Sequence, residues 1–316
     1  MDYVLTTDSL DKRYGNSFAL CRLSMHVPQG AIYGFIGKNG AGKTTLMRLI
    51  CGLSLPAAGS YSLYGEPYDS KKISFVRRRM GAIVETPAVY LDMNAEDNIK
   101  QQYRMLGIPS FDDIDELLEL TGLADAGKKK ARHFSLGMRQ RLGIAIALCG
   151  SPDFLVLDEP TNGLDPQGII EIRELILRLN RNEQITFLIS SHILDELAKI
   201  STHYGFIDKG SMIREISAAE LEKHCRKCVR VTVADTRMLC CLLDQMHLKY
   251  SIVSRTEADI YLDTSADVPE HPSGSMGITS LIMHLAENGC GIFSLREHDE
   301  SLENYYMNLV GVTGHA

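Results

Sequence analysis

Residues 37–45 read GKNGAGKTT, a turn-forming stretch set between the apolar run AIYGFIG (31–37) and a helical pattern that opens near Lys43. The spacing fits G-x-x-x-x-G-K-[ST], and the residue types suit one chemistry. Gly37, Gly40 and Gly42 let the backbone curl until successive N–H groups point inward, where phosphate oxygens can accept from them. A helix starting at Lys43 adds the positive end of its dipole. The Lys43 ammonium can reach β- and γ-phosphates, and the Thr44 hydroxyl can bind Mg²⁺. A glycine-rich turn without a ligand would share this composition, but not the strand before it and the helix after it.

A second stretch, FLVLDEP (154–160), complements the first. Its four apolar residues predict a buried strand with Asp158 at the carboxyl end, where open α/β sheets bind ligands. A carboxylate there can hold Mg²⁺, usually through water. Glu159, next along, can orient and deprotonate an attacking water. Further strands are expected at ITFLIS (185–190) and HYGFID (203–208). All four runs are continuously apolar rather than alternating, as in parallel strands covered on both faces. The class this predicts for the first ~215 residues is α/β.

Composition narrows the function classes. The 316 residues are 45% apolar and 23% charged, ordinary for a globular chain and long enough for two domains. No apolar run approaches the ~18–20 residues that cross a bilayer. The opening MDYVLTTDSL lacks the basic-then-apolar order of a secretory signal, so a cytoplasmic chain is expected. A net charge of −7 gives no global field toward nucleic acid, and none is expected as a partner. The clusters RRR (77–79) and KKK (128–130) read as solvated turns. HCRKC (224–228) followed by Cys240 and Cys241 invites a zinc reading, but the pairs are not cleanly separated, and RMLCCLLDQM reads better as a helix face.

Between about 94 and 134 the pattern is helical, with AEDNIKQQYRML and DIDELLELTGL as the candidates. After about residue 216 the character changes. CVRVTVAD (228–235) alternates strictly, so one face of that strand should meet solvent. A helix (TRMLCCLLDQMH), two strands (KYSIVSR, ADIYLDT), a loop at 265–277, a helix (ITSLIMHLAENG), a strand (GIFSLREH) and a last helix (SLENYYMNLVG) complete the chain. The order β-α-β-β-α-β is that of a ferredoxin-like unit.

The segment FSLGMRQRL (134–142) is ambiguous alone: Ser135 reads equally as a helix N-cap or as a ligand contact. Taken in order, GKNGAGKTT, FSLGMRQRL, FLVLDEP, NGLDP and SSH resemble the nucleotide-binding subunit of an ATP-binding cassette (ABC) transporter over about residues 1–215. The resemblance implies a P-loop NTPase core (residues 1–216) with an inserted helical subdomain (about 92–150), plus an accessory α+β domain (217–316). It implies ATP and Mg²⁺, with Gly37, Lys38, Asn39, Gly40, Ala41, Gly42, Lys43, Thr44 and Thr45 cradling the phosphates. Asp158 and Thr44 would hold the metal, Glu159 would be the general base, and His192 the switch residue at the γ-phosphate. Tyr14 would stack on adenine. Ser135 and Gly137 would serve the nucleotide of a second subunit, itself or a paralogue, in a head-to-tail dimer, and Asp165 would belong to the nucleotide-binding loop that links the two sites across it.

Two departures from the family pattern are present. Leu136 and Met138 stand where the signature Leu-Ser-Gly-Gly-Gln has Gly and Gln. Glu85, in GAIVETPAVY (81–90), replaces the Q-loop Gln, and as a carboxylate it would bind Mg²⁺ or water. With SLENYYMNLVG, these features look like the bacitracin-resistance and lantibiotic-immunity type. The expected function is an ATPase powering export of a peptide antibiotic or similar compound through separately encoded membrane subunits, peripheral on the inner face of the membrane. The competing readings are a soluble ABC ATPase acting on ribosomes or DNA, and a non-catalytic nucleotide-binding regulator.

Overall fold

The structure, a computed structural model, describes residues 2–224, 227–261, 278–299, 305–306 and 309, and divides into two units, 1–218 and 219–316. In the first unit, β1 (Tyr3–Tyr14), β2 (Ser17–Pro28), β4 (Ala58–Leu63) and β5 (Glu66–Pro67) form an antiparallel sheet ordered β2-β1-β4-β5. A six-stranded sheet is ordered β10-β9-β3-β8-β7-β6. Its members are β3 (Ile32–Ile36), β6 (Met80–Ile83), β7 (Phe154–Asp158), β8 (Thr186–Ser191), β9 (His203–Asp208) and β10 (Ser211–Ser217). Only β10 runs antiparallel to its neighbour. The four apolar runs are β3, β7, β8 and β9, and β3, β7 and β8 are buried at every position, which requires cover on both faces.

Helix α1 (Lys43–Ile50) lies in the core that joins the two sheets. Its Leu46, Met47, Leu49 and Ile50 are sealed from solvent and cluster with Leu5 and Leu10 of β1 and Val156 of β7. Two short helices, α2 (Ile73–Val76) and α7 (Leu194–Ala198), connect strands. Helices α3 (Ala95–Leu106), α4 (Ile114–Leu120) and α5 (Leu136–Leu148) pack as a helical group inserted between β6 and β7. Asn94 caps α3 by accepting from the Asp97 N–H at 2.7 Å, and Gly107 closes it in the left-handed region at φ +73°. α6 (Pro166–Glu183) then links β7 to β8.

α8 (Ala218–His224) leads into the second unit. That unit comprises β11 (Lys227–Val233), α9 (Thr236–Gln245), β12 (Lys249–Ile252), β13 (Glu257–Tyr261), α10 (Ile278–Glu287) and β14 (Ile292–Asp299). The antiparallel order is β12-β13-β11-β14. The alternation read at 228–235 is realised: Val229, Val231 and Val233 pack on Leu239 and Leu243 of α9 and Leu281 and Leu285 of α10. Cys240 and Cys241 lie on α9, half-buried and exposed respectively. The loop expected at 265–277 lies outside the described residues. Of the last expected helix only Tyr305, Tyr306 and Leu309 are described, and they are helical.

In the arginine cluster at 77–79, a 3-10 turn, Arg78 and Arg79 are exposed as expected, but two of the guanidiniums are engaged within the fold. Arg77 donates to the Ile50 carbonyl at 3.1 Å and to the Tyr61 hydroxyl at 2.5 Å, joining α1 to β4. Arg79 pairs with Asp153 ahead of β7. Both guanidiniums satisfy groups that tertiary folding alone brings near, which local composition does not reveal.

Gly81 of β6 marks the tightest seam between the helical group and the sheet. A Cβ there would stand 2.0 Å from the Ala147 carbonyl oxygen of α5 and 2.6 Å from Leu155 Cδ2. Gly81→Ala is expected to cost at least about 2 kcal/mol by forcing strand and helix apart. The midpoint of urea unfolding measures it.

Candidate functional site

The loop after β3 turns into α1 through Gly42, whose φ of +111° excludes an ordinary side chain. A Cβ at Gly42 would also lie 2.5 Å from the Ala19 carbonyl oxygen, and one at Gly37 would lie 2.6 Å from that of Ile207. At these two positions the loop is therefore pressed between β2 and β9 with no room for a side chain. No side chain caps α1, so its first-turn N–H groups stay available to an anion.

Strand register brings the other chemical groups to the same edge. Asp158, at the end of β7, is paired with Ser190 of β8, and Ile36 of β3 is paired with Ser191. Asp158 is buried at 2% exposure, and its Oδ1 accepts from the Ser190 hydroxyl at 2.6 Å. The same Ser190 oxygen accepts from the Glu159 N–H at 2.9 Å. One buried hydroxyl thus fixes both acids, and it holds Glu159 at φ +49°, a conformation uncommon outside glycine.

Glu159 is flanked on both sides. Its Oε1 lies 3.1 Å from the Lys43 ammonium and its Oε2 lies 2.7 Å from His192 Nδ1. Lys43, 6% exposed, also donates to the Gly37 carbonyl at 2.6 Å and the Lys38 carbonyl at 3.3 Å. These contacts keep a buried ammonium solvated by protein groups until a phosphate takes their place.

Lys43, Glu159 and His192 open into one cavity of about 240 Å³. Asn39, Gly40, Gly42, Thr44 and Thr45 line it from the loop side, and Ala19 and Asn162 complete it. Its volume is below the ~300–1,000 Å³ of whole-ligand sites, so it suits a phosphate chain with the rest of a nucleotide lying outside. Ser190, Ala19 and Asn162 were not singled out from sequence. Ser190 and Asn162 fall within stretches that were (ITFLISS and NGLDP), but only pairing between strands reveals what Ser190 touches.

The remaining expected residues lie elsewhere. Tyr14 ends β1, is 48% exposed, and has the Lys12 ammonium 5.3 Å from its ring centroid; it does not line the cavity. Ser135 caps α5, its side chain accepting from the Met138 N–H at 3.2 Å. Asp165 caps α6 by accepting from the Gly168 N–H at 3.1 Å. Both, with Gly137, lie outside this cavity of the same chain. Glu85 does not line the cavity: its carboxylate pairs with Arg48 of α1 at 2.6 Å, and its backbone N–H faces Asp158 at 3.4 Å.

The donors available to a Mg²⁺ are consistent with a hard cation. Thr44 Oγ has no hydrogen bond among the described residues, and Asp158 Oδ2 has only the long contact from Glu85.

Comparisons with known proteins agree with this geometry. Residues 20–162 match the profile of the ABC transporter family. The chain is 38% identical to the bacitracin transport ATP-binding protein BcrA of Bacillus licheniformis, over 98% of each chain. This chain belongs to the ATP-binding subunits of ABC transporters. It is 43% identical to the lantibiotic transport ATP-binding protein SrtF of Streptococcus pyogenes, across 67% of this chain and 90% of that one. Among solved structures, cbiO1 of Clostridium perfringens, part of the transporter complex cbiONQ, superposes with a TM-score of 0.63 at 26% identity, over 70% of this chain and 91% of that one. The first unit is accordingly an ABC cassette that binds and hydrolyses ATP to power a membrane transporter. No helix among the described residues is long and apolar enough to cross a membrane.

The Ser190 bridge carries a direct test. Ser190→Ala leaves Asp158 Oδ1 and the Glu159 N–H without their buried partner, at about 1–3 kcal/mol of stability. ATP turnover in this cassette variant is expected to fall well beyond what its folded fraction explains. Unchanged turnover per folded molecule would leave the bridge a purely structural contact.

Proposed function

We propose that this cassette drives export of a peptide antibiotic or a similar amphipathic compound, as a peripheral subunit on the cytoplasmic face of separately encoded membrane partners. The names of its relatives support the cargo class: one is a bacitracin and another a lantibiotic transport ATP-binding protein. The observation that carries the chemistry is the convergence of Lys43, Glu159 and His192 on one cavity beneath an uncapped helix N-terminus.

In the proposed reaction the triphosphate enters along the loop 37–45, and Lys43 exchanges its carbonyl and Glu159 contacts for β- and γ-phosphate oxygens. Freed from the ammonium, Glu159 accepts a proton from a water that attacks the γ-phosphorus. The bond to the β-phosphate bridging oxygen breaks, and ADP leaves with the electron pair. His192, bonded to Glu159 Oε2, orients the carboxylate. Bound through Thr44 and Asp158, Mg²⁺ would neutralise charge on the β- and γ-oxygens. Ser135 and Gly137 would face the nucleotide of a second cassette packed head-to-tail, with a helix N-terminus again meeting phosphate, and Asp165 would lie in the loop that links the two sites. Tyr14, exposed at the end of β1, would stack on adenine once the nucleotide is bound. The second unit would act as an accessory domain.

Lys43→Ala is expected to abolish ATP binding, read by equilibrium dialysis. Glu159→Gln should retain binding but lower turnover by about 10²–10⁴-fold, and accumulate an ATP-bound dimer on size exclusion. Full turnover in Glu159→Gln removes it as the base. A pull-down of Glu159→Gln from native membranes with Mg-ATP should bring a protein with several apolar spans. Recovery of ribosomes or nucleoid proteins instead would overturn the exporter reading and leave the ATPase assignment standing.

A further inference from the structure

Strand pairing between β7 and β8 ends at Asp158 and Ser190. Glu159 and His192 both lie beyond that point, on segments that lead to α6 and α7 respectively. Each segment is folded on itself. The Asn162 N–H donates to the Glu159 carbonyl at 3.1 Å, and the Ser191 hydroxyl accepts from the Ile193 N–H at 2.9 Å. Neither bond sets the distance between the two segments.

Beyond Ser190, two hydrogen bonds among the described residues cross from one segment to the other. One is the Glu159–His192 contact itself, at 2.7 Å. In the other, the Thr161 hydroxyl donates to Glu196 Oε2. Thr161 stands two residues after Glu159, and Glu196 four residues after His192.

The Glu196 carboxylate is committed to this bond. Thr161 is its only hydrogen-bond partner among the described residues, and Arg173, which lines the same small pocket, forms no ion pair with it. That pocket holds about 20 Å³, room for roughly one water, so the carboxylate meets no ligand there. A hydroxyl donating to a carboxylate is also stronger than a bond between neutral groups. α7 needs such an anchor. Its five residues are too few for an independent helix, no side chain caps it, and Leu197 is its one buried residue.

Neither Thr161 nor Glu196 lines the phosphate cavity. Glu159 must leave Lys43 when the triphosphate enters, but the Thr161–Glu196 bond contains no reacting group and persists through that exchange.

We infer that Thr161 and Glu196 are positioning residues for hydrolysis. Their hydrogen bond holds α7 against the loop after β7, and so keeps His192 on the Glu159 carboxylate while that carboxylate exchanges Lys43 for a water. The inference rests on the reading of Glu159 as the base and His192 as the group that orients it.

Steady-state ATP hydrolysis by the full chain, expressed per folded molecule, tests it. Thr161→Val keeps the outline of the side chain and removes the donor, and Glu196→Met keeps its length and removes the acceptor. Each should lower kcat about 10- to 100-fold while KM for ATP stays within about twofold. Thr161→Ser restores the donor and should recover kcat to within about threefold of the parent. Thr161→Val and Glu196→Met combined should be no slower than either alone, because both remove one bond. Unchanged kcat in the two single variants, a loss in Thr161→Ser as deep as in Thr161→Val, a rise in KM alone, or losses that multiply in the combined variant would each overturn the inference. His192→Ala separates it from the reading beneath. Slow turnover in His192→Ala beside normal turnover in Thr161→Val removes this inference alone, whereas parental turnover in His192→Ala removes both.

Discussion

The close fit of one loop between two sheets sets the geometry of the whole cassette. At Gly42 the backbone takes φ +111° with the Ala19 carbonyl where a side chain would be, and at Gly37 the Ile207 carbonyl stands equally near. The loop therefore has one path, and that path delivers the uncapped start of α1 to the carboxyl edge of the parallel sheet. The apolar residues of α1 bury this arrangement: Leu46, Met47, Leu49 and Ile50 are sealed from solvent in the core that joins β1 and β7. Phosphate binding and hydrophobic packing are in this sense the two ends of one eight-residue helix.

Charge at the site is balanced before any ligand arrives. Lys43 is too deeply buried to remain an unpaired cation, and it is held by two carbonyls and by Glu159. A phosphate that displaces Glu159 from Lys43 also frees the carboxylate for its work as a base. Binding and activation are then one exchange of partners. Ser190 confines the exchange to side chains, because it anchors the Asp158 carboxylate and the Glu159 backbone from the neighbouring strand.

What was legible in the sequence follows from what each pattern encodes. β3, β7, β8 and β9 were readable because parallel strands covered on both faces need unbroken apolar runs. The second unit was readable because β11 has one solvent-facing side. β1, β2 and β4 were not singled out: YVLTTDSLDKRY pairs with β2 through four register irregularities, so its burial has no period to detect. The phosphate loop, Asp158, Glu159 and His192 could be placed because motif and strand end specify them together. The Arg48–Glu85 and Arg77–Tyr61 contacts could not, since each joins groups that only the tertiary fold makes neighbours.

The Leu136 departure has a physical place in this arrangement. Its Cδ2 lies 3.3 Å from where a Cβ would stand on Gly163, and Leu164 Cδ2 lies 3.9 Å from the corresponding point on Gly137. The two leucines interleave the start of α5 with the NGLDP loop that starts α6. Arg141 and Glu171, 3.5 Å apart, join the same helices one to two turns further on. A glycine at 136 would remove the contact with Gly163 and leave Leu164 against Gly137. With Leu136, the Ser135 cap of α5 and the Asp165 cap of α6 belong to one packed surface. Since both caps are proposed to face a second cassette, Leu136, 44% exposed, presents an apolar side chain between them where the family signature has glycine.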